Sequence, residues 1–177
     1  MTNSSDIWIE VGYNAFALEG FEGLKIERMA KRAGISKSSF YHHFADLEVF
    51  MAQLLAHHLA QMQHLAAQER VVQNIDPALV ALLVAHKQDI LFNRQLRICR
   101  HLPDFAQILQ KTEAELGDTF VLVWVRELNL KLSPAQLRAF FELALENFFL
   151  QVNPQNFNTE WLRLYFQKLK TLAAHFA

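Results

Sequence analysis

With 177 residues, 52% of them apolar and 20% charged, the chain can bury a sizeable core and lies outside disordered composition. Five Gly and four Pro over that length disfavour a sheet with many tight turns, the single cysteine Cys99 excludes an internal disulfide framework, and no apolar run approaches the ~20 residues of a membrane span. The net charge of −1 argues at first against nucleic acid, yet residues 24–44 hold five bases against one acid while the remainder holds 12 against 17, so one end alone is suited to phosphate.

The opening residues show no basic stretch followed by an apolar run, so no signal peptide is read, and with the lone cysteine a cytoplasmic location is expected. The spacing predicts a first helix over Asp6–Glu19, capped by Asp6, with Ile7, Val11, Ala15 and Leu18 as its apolar stripe and Gly20 as its stop. A short helix follows over Ile26–Ala33, where Ile26, Met29, Ala30 and Ala33 recur at helical spacing. Gly34 then allows a sharp reversal, and Ser36 is a good cap for a third helix over Lys37–Phe44. Two short amphipathic helices around a tight glycine turn are the sequence form of a helix-turn-helix.

Asp46 can cap a long fourth helix reaching about Arg70. Asp76-Pro77 opens the next, with Pro at its first position, running to about Phe92, and a shorter one spans about Arg94 to His101. Pro103 opens a helix to about Leu130 that Gly117-Asp118 can interrupt. Ser133-Pro134 opens another to about Val152, and the last runs from about Asn158 to Phe176. No strand pattern is found. The expected fold is therefore all-α, a three-helix head at 1–46 followed by a larger helical domain at 47–177.

The run Gly20-Phe21-Glu22-Gly23-Leu24, then Ile26 through Phe44 with its Ala-Gly-Ile-Ser-Lys turn and its Tyr-x-His-Phe ending, resembles the DNA-binding head of TetR/AcrR-type bacterial transcriptional regulators. The resemblance spans about Ile7 to Leu55. Lys37, Ser38 and Ser39 lie on the first turn of the third helix, the part that a helix-turn-helix inserts into the major groove. The resemblance implies that Lys25, Ser36, Lys37, Ser38, Ser39, Tyr41, His42 and His43 meet DNA, with Tyr41 and His43 on phosphates and His42 on either phosphate or base. Phe40 and Phe44 should pack inward on Ala30 and Ile26. Two positions depart from the pattern. Lys25 stands where the family usually has a capping Thr, and Leu47 stands where it usually has Lys, which removes one phosphate contact.

The last two predicted helices are apolar on more than one side, so one side can face the chain's own core and the other needs a partner. This fits the family's dimer interface of paired terminal helices, with Leu137, Phe141, Phe148, Leu162, Tyr165 and Leu169 as the expected contacts. The family's central helices enclose a ligand pocket, for which Phe92, Cys99, His101, Phe105, Phe120 and Trp124 are candidates. His86 is a further polar point, and Arg94, Arg97 and Arg100 recur on one helical side. His57 and His64 are about two turns apart, too far for the usual i, i+4 metal pair. No nucleophile motif or phosphate loop is present.

The expected function is thus a homodimeric repressor, not an enzyme. It would bind a palindromic double-stranded DNA operator, need no cofactor or metal, make no membrane contact and respond to a small, largely apolar effector. A ligand-independent regulator controlled by a protein partner is the alternative, and a helical-bundle metal enzyme a distant third.

Overall fold

The computed structural model describes residues 3–128 and 132–174, and within them all side chains except those at 117–122, 126, 128 and 174. The described residues are helical throughout, joined by short turns. They run as α1 (Ser4–Glu19), a 3-10 turn (Gly20–Leu24), α2 (Ile26–Ala33), α3 (Lys37–His43) and α4 (Leu47–Glu69). A π-turn (Ile75–Leu79) leads into α5 (Val80–Ala85), then α6 (Lys87–Ile98), α7 (Pro103–Leu128), α8 (Pro134–Gln151) and α9 (Thr159–Ala174). None of the described helices is long and apolar enough to cross a membrane.

The chain divides into two compact units, one of Met1–Gln61 with Gln88–Gln110 and the other of Met62–Lys87 with Lys111–Ala177. Residues 47–61 and 88–110 therefore pack with the N-terminal helices, and α4 supplies residues to both units.

In the first unit α1 is capped by Asn3, whose side chain accepts the Ser5 amide, rather than by Asp6. Its buried face is Trp8, Gly12, Tyr13, Ala15, Phe16 and Ala17. Of the expected stripe only Ala15 is fully inside. Ile7 and Val11 are half-buried and Leu18 is 41% exposed. The helix is apolar on several sides, and the larger rings of Trp8 and Phe16 remove more area from water than Leu18 and Val11 would. Gly12 marks a close approach, because a Cβ there would collide with the buried ring of Phe50 on α4. Gly34 ends α2 at φ +68°, the left-handed conformation that a residue with a Cβ adopts only with strain.

One polar chain ties three helices of this unit together. The Tyr13 hydroxyl of α1 donates to Oδ1 of Asp89 on α6 at 2.7 Å and lies 2.7 Å from Nδ1 of His58 on α4. Because the phenolic proton goes to Asp89, Nδ1 of His58 donates to the Tyr13 oxygen, which leaves Nε2 unprotonated and buried without a partner. The Phe92 ring stacks on both Tyr13, at 4.4 Å between centroids, and His58, at 4.5 Å.

The second unit differs from expectation at one break. The helix predicted from Asp76 to Phe92 stops at His86, where Nε2 lies 2.8 Å from Oε1 of Gln68, and α6 then continues unbroken past Asn93. No Gly or Pro marks this break in the sequence. The helix α7 passes Gly117 and Asp118 without interruption. Ser133 and Gln136 form a reciprocal capping box at the start of α8, and Asn158 accepts the Trp161 amide at the start of α9. The predicted helix limits Leu130 and Phe176 lie outside the described residues.

The terminal helices α8 and α9 pack on each other through residues that the sequence assigns to a dimer. Phe141, Phe148, Leu162, Tyr165 and Leu169 are all buried within the single chain and Leu137 is half-buried. Phe148 meets Tyr165 at 5.4 Å, and the Tyr165 hydroxyl donates to the Ala144 carbonyl at 2.6 Å. What α8 and α9 leave to solvent is Leu143 (73% exposed), Leu150 (81%), Leu164 (52%) and Leu172 (56%). Within the single chain, therefore, the bulkier aromatic stripe fills the chain's own core and the leucine stripe faces out.

Burial, then the neighbouring His57, push the His58 imidazole down to about 3. In the unfolded chain a histidine titrates near ~6.5, so below that pH the unfolded state takes up a proton that folded His58 refuses. Stability is untouched above pH ~6.5 and falls as pH drops from there towards about 3, by up to about 1.4 kcal/mol per pH unit from this residue. Denaturant unfolding of the wild type and of His58→Gln at pH 7, 5.5 and 4 is expected to show their stability difference shrinking or reversing in acid. Parallel pH curves would remove His58 from the account.

Candidate nucleic-acid interface

The third helix has only seven residues, and its underside is fixed by an aromatic box. Phe40 is fully buried, with its ring 5.2 Å from Trp8, 5.0 Å from Phe44 and 5.2 Å from Phe50. Phe44 is 1% exposed at the helix end and meets Phe50 at 4.8 Å. Both phenylalanines point inward as their spacing predicts, with the rings of Trp8 and Phe50 as their aromatic neighbours in a core that also holds Met29 and Ala30.

Above this box lies a polar face. Lys37, Ser38, Tyr41, His42 and His43 are exposed, Tyr41 by 54%. Ser36 occupies the cap position with extended backbone, yet its hydroxyl meets that of Ser38 at 3.0 Å and makes no capping bond. Lys25 stands at the cap position of α2 without capping it, and its ammonium pairs with Glu22 at 2.7 Å.

Ser39 is turned differently from its neighbours. It is half-buried, accepts the Trp8 indole N–H at 3.2 Å and lies 3.2 Å from the Ser4 hydroxyl. Ser4 also lies 2.7 Å from Nε2 of His43. The start of α1 is thus stitched to both ends of α3, so Ser39 positions that helix from beneath. Ser4 and Trp8 were missed by motif reading because they lie more than 30 residues away along the chain.

Carboxylates accompany most of the bases in this region. Arg28 and Arg32 both bind Glu19, Lys25 binds Glu22 and Lys37 binds Glu27, so the patch is less positive than the residues 24–44 suggest on their own. Glu19 is held below the usual carboxylate range chiefly by its bond from Arg32, Glu22 by Lys25 and Glu27 by Lys37.

The residues expected around one ligand are drawn from both units. Phe92, Cys99 and Phe105 are buried in the core of the first unit, where Phe105 meets Phe16 and Phe21 at 5.9 and 5.6 Å. His101 is exposed. Trp124 is fully buried in the second unit, 5.5 Å from Phe166 and 6.0 Å from Phe141. The Phe120 side chain lies outside the described residues. Of the three arginines Arg97 is buried, Arg94 half-buried and Arg100 exposed. The first unit also has a cavity of about 610 Å³ lined by Asp6, Glu10, Tyr13, Gln53, His57 and Asp89 among others, none of them a predicted pocket residue. Among the described residues no group of three or more His, Cys, Asp or Glu could hold a metal ion.

Residues 9–53 match the family model described as bacterial regulatory proteins, tetR family. No curated protein sequence matches the chain. A transcriptional regulator from Rhodococcus sp. Rha1 has a similar solved structure, with a TM-score of 0.69 at 17% identity over 98% of this chain and 97% of that one. A transcriptional regulator of the TerR/AcrR family from Aquifex aeolicus VF5 gives 0.60 at 18% identity over 96% of each chain. At these identities the likeness is one of fold.

Proposed function

We propose that this chain, which carries the N-terminal domain of the tetR family of bacterial regulatory proteins, is a transcriptional regulator that reads a palindromic DNA operator as a homodimer and represses until an effector releases it. The observation that carries DNA binding is the two-sided character of α3. Its underside is locked by Phe40 while Lys37, Ser38, Tyr41 and His42 stand exposed on a rigid support. A helix so presented can enter a major groove about 12 Å wide, with its first turn on base edges and flanking groups on phosphates. Tyr41 and His43 are the flanking groups we assign to phosphate, with Lys25 at the entrance of α2 and Ser36 at that of α3 as further contacts.

Two copies related by a twofold axis would read half-sites about one helical turn apart, near ~10 bp. Selection from a random duplex pool is expected to return an inverted repeat, bound more weakly as salt rises. Lys37→Ala and Tyr41→Phe should weaken that binding while leaving the helical circular-dichroism signal unchanged. A folded protein that selects no inverted repeat sinks the reading.

Dimerisation is supported by the outward leucines of α8 and α9. Leu143 and Leu150 lie seven residues apart on one side of α8, and each is more than 70% exposed. A second copy covering them would remove an apolar strip from water. Light scattering should give a dimer for the wild type and a folded monomer for Leu143→Glu with Leu150→Glu. Phe148→Glu should instead unfold the second unit, since it buries a charge in the chain's own core. A wild type that is monomeric at micromolar concentration contradicts the dimer.

For release by a small, largely apolar effector, the supporting feature is α4, on which the head packs and which continues into the second unit. An effector must favour the DNA-incompetent state to shift the balance, typically by about 1–3 kcal/mol. By linkage the operator must then weaken effector binding by the same factor. An effector found by thermal-shift screening that binds equally with and without saturating operator would rule out this control.

A further inference from the structure

We propose that Glu27 is a specificity-determining residue: it neutralises Lys37 at the start of α3 while leaving the ammonium's remaining N–H donors free for base edges. The inference rests on the DNA-binding reading above. Lys37 is the first residue of α3 and Glu27 lies in the first turn of α2, and their side chains are joined by an ion pair on the exposed surface. Each side chain is about half or more exposed, at 48% for Lys37 and 68% for Glu27, so the pair is open to solvent at the start of α3, the end that the proposed reading puts in the groove.

The chemistry of the two kinds of DNA acceptor separates what this pair does. A phosphate is anionic and attracts Lys37 through net charge, but an ammonium already paired with a carboxylate has little net charge to offer. The carboxylate also repels an approaching phosphate at short range. A base edge is different: guanine O6 and N7 are neutral acceptors in the major groove, and lysine has three N–H donors. One donor can stay on Glu27 while another reaches the base. Contact with random DNA is made almost wholly of phosphate attraction, whereas contact with an operator adds base edges. The Glu27–Lys37 pair therefore penalises the first more than the second.

The same arrangement recurs beside it, with Glu22 on Lys25 and Glu19 on Arg28 and Arg32. Among the bases from Lys25 to Lys37, Lys31 alone has no ion-pair partner among the described residues. Glu27 differs from the other two acids in its partner, since Lys37 belongs to the reading helix itself. The bond from Lys37 also holds the Glu27 carboxyl below the usual carboxylate range.

The test compares wild type, Glu27→Gln, Lys37→Ala and the double variant on a random-sequence duplex and on the selected inverted repeat, across a salt series. Glu27→Gln is expected to tighten the random duplex by about two- to five-fold, the scale of an exposed ion pair. Its log–log salt slope should steepen by about 0.9, the share of one added phosphate contact. Affinity for the inverted repeat should change less, so the ratio between the two falls, and the whole effect should vanish on the Lys37→Ala background. The proposal is overturned if the slope is unchanged, if both duplexes tighten equally, or if the effect persists without Lys37. A wild type that binds neither duplex removes the DNA-binding reading itself, and this inference with it.

Discussion

A helix of seven residues has too few internal hydrogen bonds to hold itself in water, because nucleating the first turn costs more than so short a run returns. The exposed polar face of the head therefore depends on α3 being kept helical by its neighbours. Phe40 does most of this. It is wholly buried among Trp8, Phe44 and Phe50, so one side chain ties α3 to α1 and α4 at once. Truncating such a ring to alanine in a packed core costs about 3–5 kcal/mol. The bonds from Trp8 and Ser4 to Ser39 then fix the rotation of α3 about its own axis. Packing keeps the helix formed, and these directional bonds decide which residues it shows.

The same logic extends down α1. Gly12 lets α1 approach Phe50 of α4, and the very next residue, Tyr13, reaches His58 and Asp89. The head is therefore not three helices standing alone. It includes the first half of α4 and residues 88–110, which wall off Tyr13, Phe16 and Phe92 from water. An unpartnered Nε2 on a fully buried histidine is a cost that an apolar residue would avoid. It is offset by the hydrogen bond at Nδ1 and by the stacking of the ring on Phe92.

Electrostatics in the head is likewise a matter of pairs rather than totals. Counting residues 24–44 gives a strongly basic segment, but Glu19 and Glu22 lie just outside that window and Glu27 inside it, and each holds at least one base. Exposed pairs of this kind add little to stability, about 0–1 kcal/mol each. Their consequence lies in which charges they leave without a partner on the surface.

The sequence by itself determined the helices of the head almost to the residue. Periodicity, Gly34 and the Lys37 start are local signals, and local signals survive without tertiary context. It also determined the cap at Asp46 and the helix openings at Ser133-Pro134 and Asn158, whereas of the other expected caps Asp6 gave way to Asn3 and Ser36 makes no capping bond. What only the tertiary structure decided is direction. On α1 the expected Leu18 gave way to Trp8 and Phe16, and on α8 Phe141 and Phe148 went inward while Leu143 and Leu150 went out. A helix that is apolar on several sides has no single stripe, so its sequence cannot say which side its neighbours will cover. For the same reason Phe92, Phe105 and Trp124 read alike in sequence yet sit in the cores of different units. Hydrophobicity says that a side chain leaves water, and only the packing of distant segments says where it goes.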